Sequence, residues 1–248
     1  MLHIGVLKKY FLSMAKIKRR VKPITPSSNT SVFVHNSAEW VFQFWAWQLL
    51  IWSLYRYFFK FSEPVDEFIV KPIVFVLPVL LFVWKKEKRS LTTIGITTNN
   101  FFQSLLIGLG FGLLFSGEAM FANIMKYGSL TISATPAVVQ NGIPLLVILS
   151  LATAISEEVL SRGFFFSRLF ESTKNMLYSA LMSTLLFVAF HIPILLTSLK
   201  FQGPTLILFF LTSFILGLTN SFMYHKNRSL VAPILIHLFW NMTVSVFL

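Results

Sequence analysis

The run IPLLVILSLATAISEEVLSRGFFF, residues 143–166, decides the fold class. It is long enough to cross a hydrocarbon core, which takes about 20 apolar residues, yet it carries Glu157, Glu158 and Arg162 within it. A helix that is apolar on every side is covered all round, by lipid or by other helices. Comparable runs lie on both sides of it, at about 40–59, 68–84, 101–124, 176–198, 205–224 and 230–248. The fold read from them is all-α, a polytopic transmembrane helical bundle of about seven spans. The range is six to eight, because Pro136 and Pro144 leave room for a short or re-entrant piece near 128–142.

Composition points the same way. Of 248 residues 55% are hydrophobic, 28 are phenylalanine, and only 12% are charged. A soluble domain has no place for so much apolar surface. The formal charge of +12 raises the question of nucleic acid, but the basic residues fall between apolar runs, where they act as topology signals and contacts for anionic lipids. There is no cysteine, which removes disulfides, thiolate catalysis and thiolate-bound zinc.

Three regions follow: a basic tail at 1–38 broken by Pro23 and Pro26, a transmembrane hairpin at 39–89, and a core at 90–248. Leu2–Leu7 is too short for the apolar core of a signal peptide, and Met14 is an alternative start. With the N-terminus in the cytoplasm, one side of a seven-span chain collects 16 of the 21 Lys and Arg residues, and the other holds only Arg56, Lys60, Lys71, Lys126 and Lys200. This places the protein in the cell membrane as a multi-pass chain, N-terminus inside and C-terminus outside. No internal repeat of the kind that builds many transporters is visible.

Ionisable groups inside spans cost about 2.5–3.5 kcal/mol each on the insertion scale and point to function. Glu158 and Arg162 stand four apart and share a helix face, so the arginine offsets one carboxylate and leaves Glu157 available. Two neighbouring carboxylates in a poor dielectric resist joint ionisation, which suits the pair to take and return a proton. His237 and Asn241, also four apart, present hydrogen-bond donors to one spot, as a tetrahedral oxyanion requires. His191, from another span, is placed to share a water with Glu157. Glu118 either lines the same cavity or neutralises a neighbour. Trp40, Trp45, Trp47 and Trp52 read as lipid-facing and interfacial anchors.

Three segments carry a family pattern. Glu157-Glu158-Val159-Leu160-Ser161-Arg162 resembles an EExxxR motif, Phe187–His191 an FxxxH motif, and His237–Asn241 an HxxxN motif. In this order and spacing they resemble the CAAX protease and bacteriocin-processing (Abi, CPBP) family, which includes the type II CAAX prenyl endopeptidases. Leu91–Ile96 and Ser229–Pro233 are similar to the family too, so the resemblance covers about 90–248.

The resemblance implies a helical membrane protease with its site in a cavity open to the cytosol. By position, Glu157 and His191 would activate water, His237 and Asn241 would hold the oxyanion, and Glu158 and Arg162 would support the site. The family has been described both as metalloproteases and as metal-free glutamate proteases. If zinc is bound, Glu157, His191 and His237 are the ligands, but HExxH is absent and the reading favours no tightly bound metal. Asp66 is the only aspartate and no span contains GxSG, which sets two-aspartate and serine–histidine chemistry aside.

The expected partners are a membrane-associated peptide or protein substrate and a bilayer with anionic lipids, and no nucleic acid. Bacteriocin processing or self-immunity is the expected role. Two other classes compete: a non-catalytic immunity or scaffold protein, and a small proton-coupled transporter relaying through Glu118, Glu157 and the histidines.

Overall fold

The structure, a computed structural model, describes residues 37–132, 136–200 and 202–247. The basic tail read at 1–38, including the alternative start at Met14, lies outside the described residues except for Ser37 and Ala38, which open the first helix.

Helix α1 (Ser37–Phe58) turns into α2 (Glu63–Lys86). Pro72 and Pro78 remove two backbone donors from α2, and Pro72–Val76, with Asp66–Val70 and Phe82–Lys86, is wound as wider π turns. There follow α3 (Phe101–Tyr127), α4 (Gly142–Thr173), α5 (Met176–Leu199), α6 (Gly203–Asn227) and α7 (Val231–Phe247). These are the seven runs of the sequence. Over Glu63–Lys86, Phe101–Met125, Gly142–Thr173, Met176–Leu199 and Leu206–Asn227 the helices are long and apolar enough to cross a membrane; α7, at 17 residues, is a shorter apolar helix. The piece anticipated near 128–142 is a short helical lead-in from Pro136 that breaks at Gly142, where φ is 77°.

The outward faces are apolar. Trp47, Leu54, Phe68, Ile73, Leu106, Leu113, Ile207 and Leu211 are all exposed, a surface that suits hydrocarbon rather than water. Inside, α3 meets α7 through glycines. A Cβ at Gly108 would stand 2.8 Å from Leu235 Cβ, and one at Gly112 would stand 2.4 Å from the Phe239 ring. Glycine at two positions one turn apart lets the helix backbones close to packing distance, and it fixes the depth of the helix that carries His237 and Asn241.

Two of the tryptophans read as lipid anchors are interior ties instead. Trp52 is 4% exposed and donates to Phe190 O at 3.1 Å; Trp45 donates to Leu186 O at 3.0 Å. An indole N–H buried in an apolar bundle needs an acceptor, and the carbonyls at the end of the first part of α5 supply it. Trp47 does face outward.

The two ends of the bundle differ in charge. At one end the exits of α2, α4 and α6 converge. Arg168 pairs with Glu87 at 2.6 Å, Arg89 with Glu171 at 2.7 Å, and the Arg228 guanidinium lies 4.9 Å from the Phe170 ring centre. Lys85, Lys86, Lys88, Lys174 and Lys226 belong to the same end. Here the left-handed Gly95 accepts from Leu230 N at 3.0 Å and sits against the Tyr224 ring, which joins the segment before α3 to the segment before α7. At the other end Arg56 pairs with Asp66 at 2.8 Å and donates to Ser198 at 3.0 Å, while Tyr55 donates to Asp66. Lys71, Arg162 and Arg168, counted as topology signals from sequence, are buried and therefore report packing rather than sidedness.

Candidate active site

The middle of α4 is where the helix changes gauge. From Val159 to Phe166 it is a π-helix in which every residue is buried, and Glu157 and Glu158 are the last residues before it. Widened turns of this kind recur at functional sites because they redirect side chains within a continuous helix.

Glu158 points into the protein and is 0% exposed. One of its oxygens, Oε1, accepts from Arg162 Nη1 at 3.0 Å, Asn220 Nδ2 at 2.9 Å and His237 Nδ1 at 2.8 Å. The Arg162 guanidinium is also 4.8 Å from the Phe187 ring centre. Gly217 on α6 makes room for the pair, since a Cβ there would stand 2.6 Å from Thr184 Cγ2 and 3.0 Å from Arg162 Nη2. A buried charge is tolerable only when it is paired and hydrogen-bonded, and Glu158 has all three donors.

Glu157 faces the other way. Its side chain, 13% exposed, lines a cavity of about 500 Å³ together with His191, His237, Asn241 and Lys71, a volume within the usual range for binding sites. Oε1 pairs with Lys71 Nζ at 2.9 Å, and Oε2 stands 3.7 Å from His237 Nε2. Lys71 also pairs with Glu67 at 2.8 Å, and Glu67 accepts from Thr153 Oγ1 at 2.5 Å. Glu157 is therefore not left free, as the sequence suggested. Each glutamate has its own cation.

The acceptor at Glu158 requires hydrogen on Nδ1 of His237 and turns Nε2 toward Glu157. His191 follows the end of the first part of α5, its Nδ1 3.3 Å from Phe187 O, and its ring packs edge-on to Phe187 and Phe209. Asn241 Nδ2 is buried in the cavity wall without a protein partner. Glu118, by contrast, is exposed on the outer face of α3 and does not line the cavity, which removes it from any relay with Glu157.

Of the six residues singled out by sequence, Glu157, His191, His237 and Asn241 line one cavity, while Glu158 and Arg162 are buried behind it. Those it missed are Lys71, Glu67, Thr153 and Asn220. The one signal for the first two was an acid and a base four apart, Glu67 and Lys71, in an otherwise apolar run. As to a metal, no three His, Asp or Glu side chains among the described residues converge to hold an ion. The donor set Glu157, His191 and His237 is a poor fit for one, because the Lys71 ammonium already sits on Glu157 Oε1.

Residues 139–243 match the family described as type II CAAX prenyl endopeptidase Rce1-like. That stretch contains all three motifs and excludes α1, α2 and Lys71. No curated protein and no solved structure matches the chain.

Proposed function

We propose that this membrane protein, whose residues 139–243 belong to the Rce1-like family of type II CAAX prenyl endopeptidases, is an intramembrane endopeptidase that depends on Glu157. The observation that carries the reading is the pair of acceptors turned on one another in the cavity, Glu157 Oε2 and His237 Nε2, 3.7 Å apart, beside the unpartnered Asn241 Nδ2.

A water between those two acceptors gives one hydrogen bond to each and presents a lone pair to a peptide carbonyl. In the attack its oxygen bonds to the carbonyl carbon and its proton passes to Glu157. The carbonyl oxygen becomes an oxyanion, and Asn241 Nδ2 is the donor aimed at it. His237 with its hydrogen spent on Glu158 has none to give in the neutral form, so the oxyanion duty expected of His237 and Asn241 together rests on Asn241. When the C–N bond breaks, the proton on Glu157 goes to the departing amine. His191 lines the cavity beside this path and orients the water.

The substrate is a membrane-associated polypeptide, the setting is a bilayer containing anionic lipids, and the role in the cell is bacteriocin processing or self-immunity. The test compares wild type with Glu157→Ala, matched for level and folding, in membranes presented with a peptide library and in cells challenged with a bacteriocin. Loss of about 10²-fold or more in cleavage rate is expected, together with loss of protection. Protection retained in Glu157→Ala, with no cleavage by either protein, returns the chain to the non-catalytic immunity class.

A further inference from the structure

The cavity is one-sided. On α4 its wall runs from Leu146 to Ser161 and takes nothing from the twelve residues that follow in that helix. On α5 it starts at Phe187 and continues to Leu199, and on α7 it runs from His237 to Ser245. In every helix that lines it, the lining half is the one that leads away from Arg89, Arg168 and Arg228. Among the lining residues Phe61, Glu63 and Leu199 are exposed, so the cavity reaches the surface at the end of the bundle opposite its basic end.

Basic loops are retained on the cytoplasmic side during membrane insertion. The basic end holds Lys85, Lys86, Lys88 and Arg89 at the exit of α2, Lys174 after α4, and Lys226 and Arg228 at the exit of α6. The chain also enters α1 there, since the Trp40 ring lies 5.3 Å from Lys86 Nζ, so the seven Lys and Arg residues of 1–36 precede this end in sequence. The mouth end is poor in such residues.

We infer that the cavity opens to the extracytoplasmic face, and that its substrate is a polypeptide presented from outside the cell or after translocation. This departs from the cytosolic opening that the family resemblance implies. It rests on the peptidase reading for the word substrate, but not for the direction of access.

The absence of cysteine makes the direction measurable. Single cysteines are placed at the mouth by Glu63→Cys and, separately, Lys60→Cys, and at the basic end by Lys88→Cys; all three native side chains are exposed. Intact cells are treated with a membrane-impermeant maleimide, then lysed and treated again. The mouth positions are expected to label about equally before and after lysis, and Lys88→Cys to gain about tenfold on lysis. The reverse pattern overturns the inference and opens the cavity to the cytosol. Labelling of all three in intact cells, the mark of mixed orientation, overturns it as well. Labelling needs no catalysis, so a wrong direction and a wrong peptidase reading separate: the second shows only in the Glu157→Ala comparison.

Discussion

Glu157 and Glu158 are neighbours in sequence and opposites in surroundings. Glu158 is sealed among Arg162, Asn220 and His237, all from the stretch that matches the family, and none of its side chain is exposed. Glu157 looks into a cavity and is held by Lys71, which comes from the hairpin outside that stretch. The inner glutamate organises the framework: it ties α4, α6 and α7 together and sets the tautomer of His237. In the proposed function the outer one takes the proton, and its carboxylate is held by a different part of the chain.

That contrast breaks most severely on the inner side. Arg162→Ala leaves Glu158 buried against a neutral neighbour, and removing one partner of a buried pair costs about 3–5 kcal/mol. We expect loss of folded protein, seen as aggregation on size exclusion in mild detergent and a lowered tryptophan-fluorescence melting point. A variant that melts like wild type would show that Asn220 and His237 suffice to hold Glu158.

On the outer side the effect is on rate. Lys71→Met frees Glu157 Oε1, so the carboxylate is no longer fixed with Oε2 toward His237. Misplacement of this kind costs about 10- to 100-fold in kcat, with KM little changed. Lys71→Arg is expected to recover part of the loss. Combined with Glu157→Gln, Lys71→Met should add almost nothing further, because both changes act through one carboxylate. Equal losses of kcat and of melting temperature in Lys71→Met would mark it as a packing residue instead.

The smallest effect belongs to Glu63, exposed at the mouth. Glu63→Gln is expected to leave stability within about 0.5 kcal/mol and to weaken only the KM for basic peptides, measured on matched substrates that differ in charge.

The same contrast explains what was legible. The framework is encoded locally: Glu158 and Arg162 lie four apart, as do His237 and Asn241, and helix periodicity alone puts each pair on one face. The seven runs are equally local, since span length is set by hydrocarbon thickness. Asn220 was invisible because an asparagine in an apolar helix announces polarity but not a partner. Lys71 was misassigned to a loop because a lysine near the end of an apolar run is more often a topology signal than a buried cation, and only the fold brings it across 86 positions to Glu157. Trp52 was misread for a related reason: an amphipathic ring suits both an interface and an interior with one free carbonyl.

The hairpin carries its own neutralisation. Arg56 is paired with Asp66 across the turn, and Lys71 with Glu67 along α2. Synthesis runs from the N-terminus, so these segments leave the ribosome and meet the insertion machinery long before Glu157 exists. An unpaired lysine or glutamate at that moment would resist partitioning into lipid by about 2.5–3.5 kcal/mol. Two internal ion pairs let the hairpin insert as a charge-balanced unit, and Lys71 then waits in the bilayer for the fourth helix to arrive and take up its second contact.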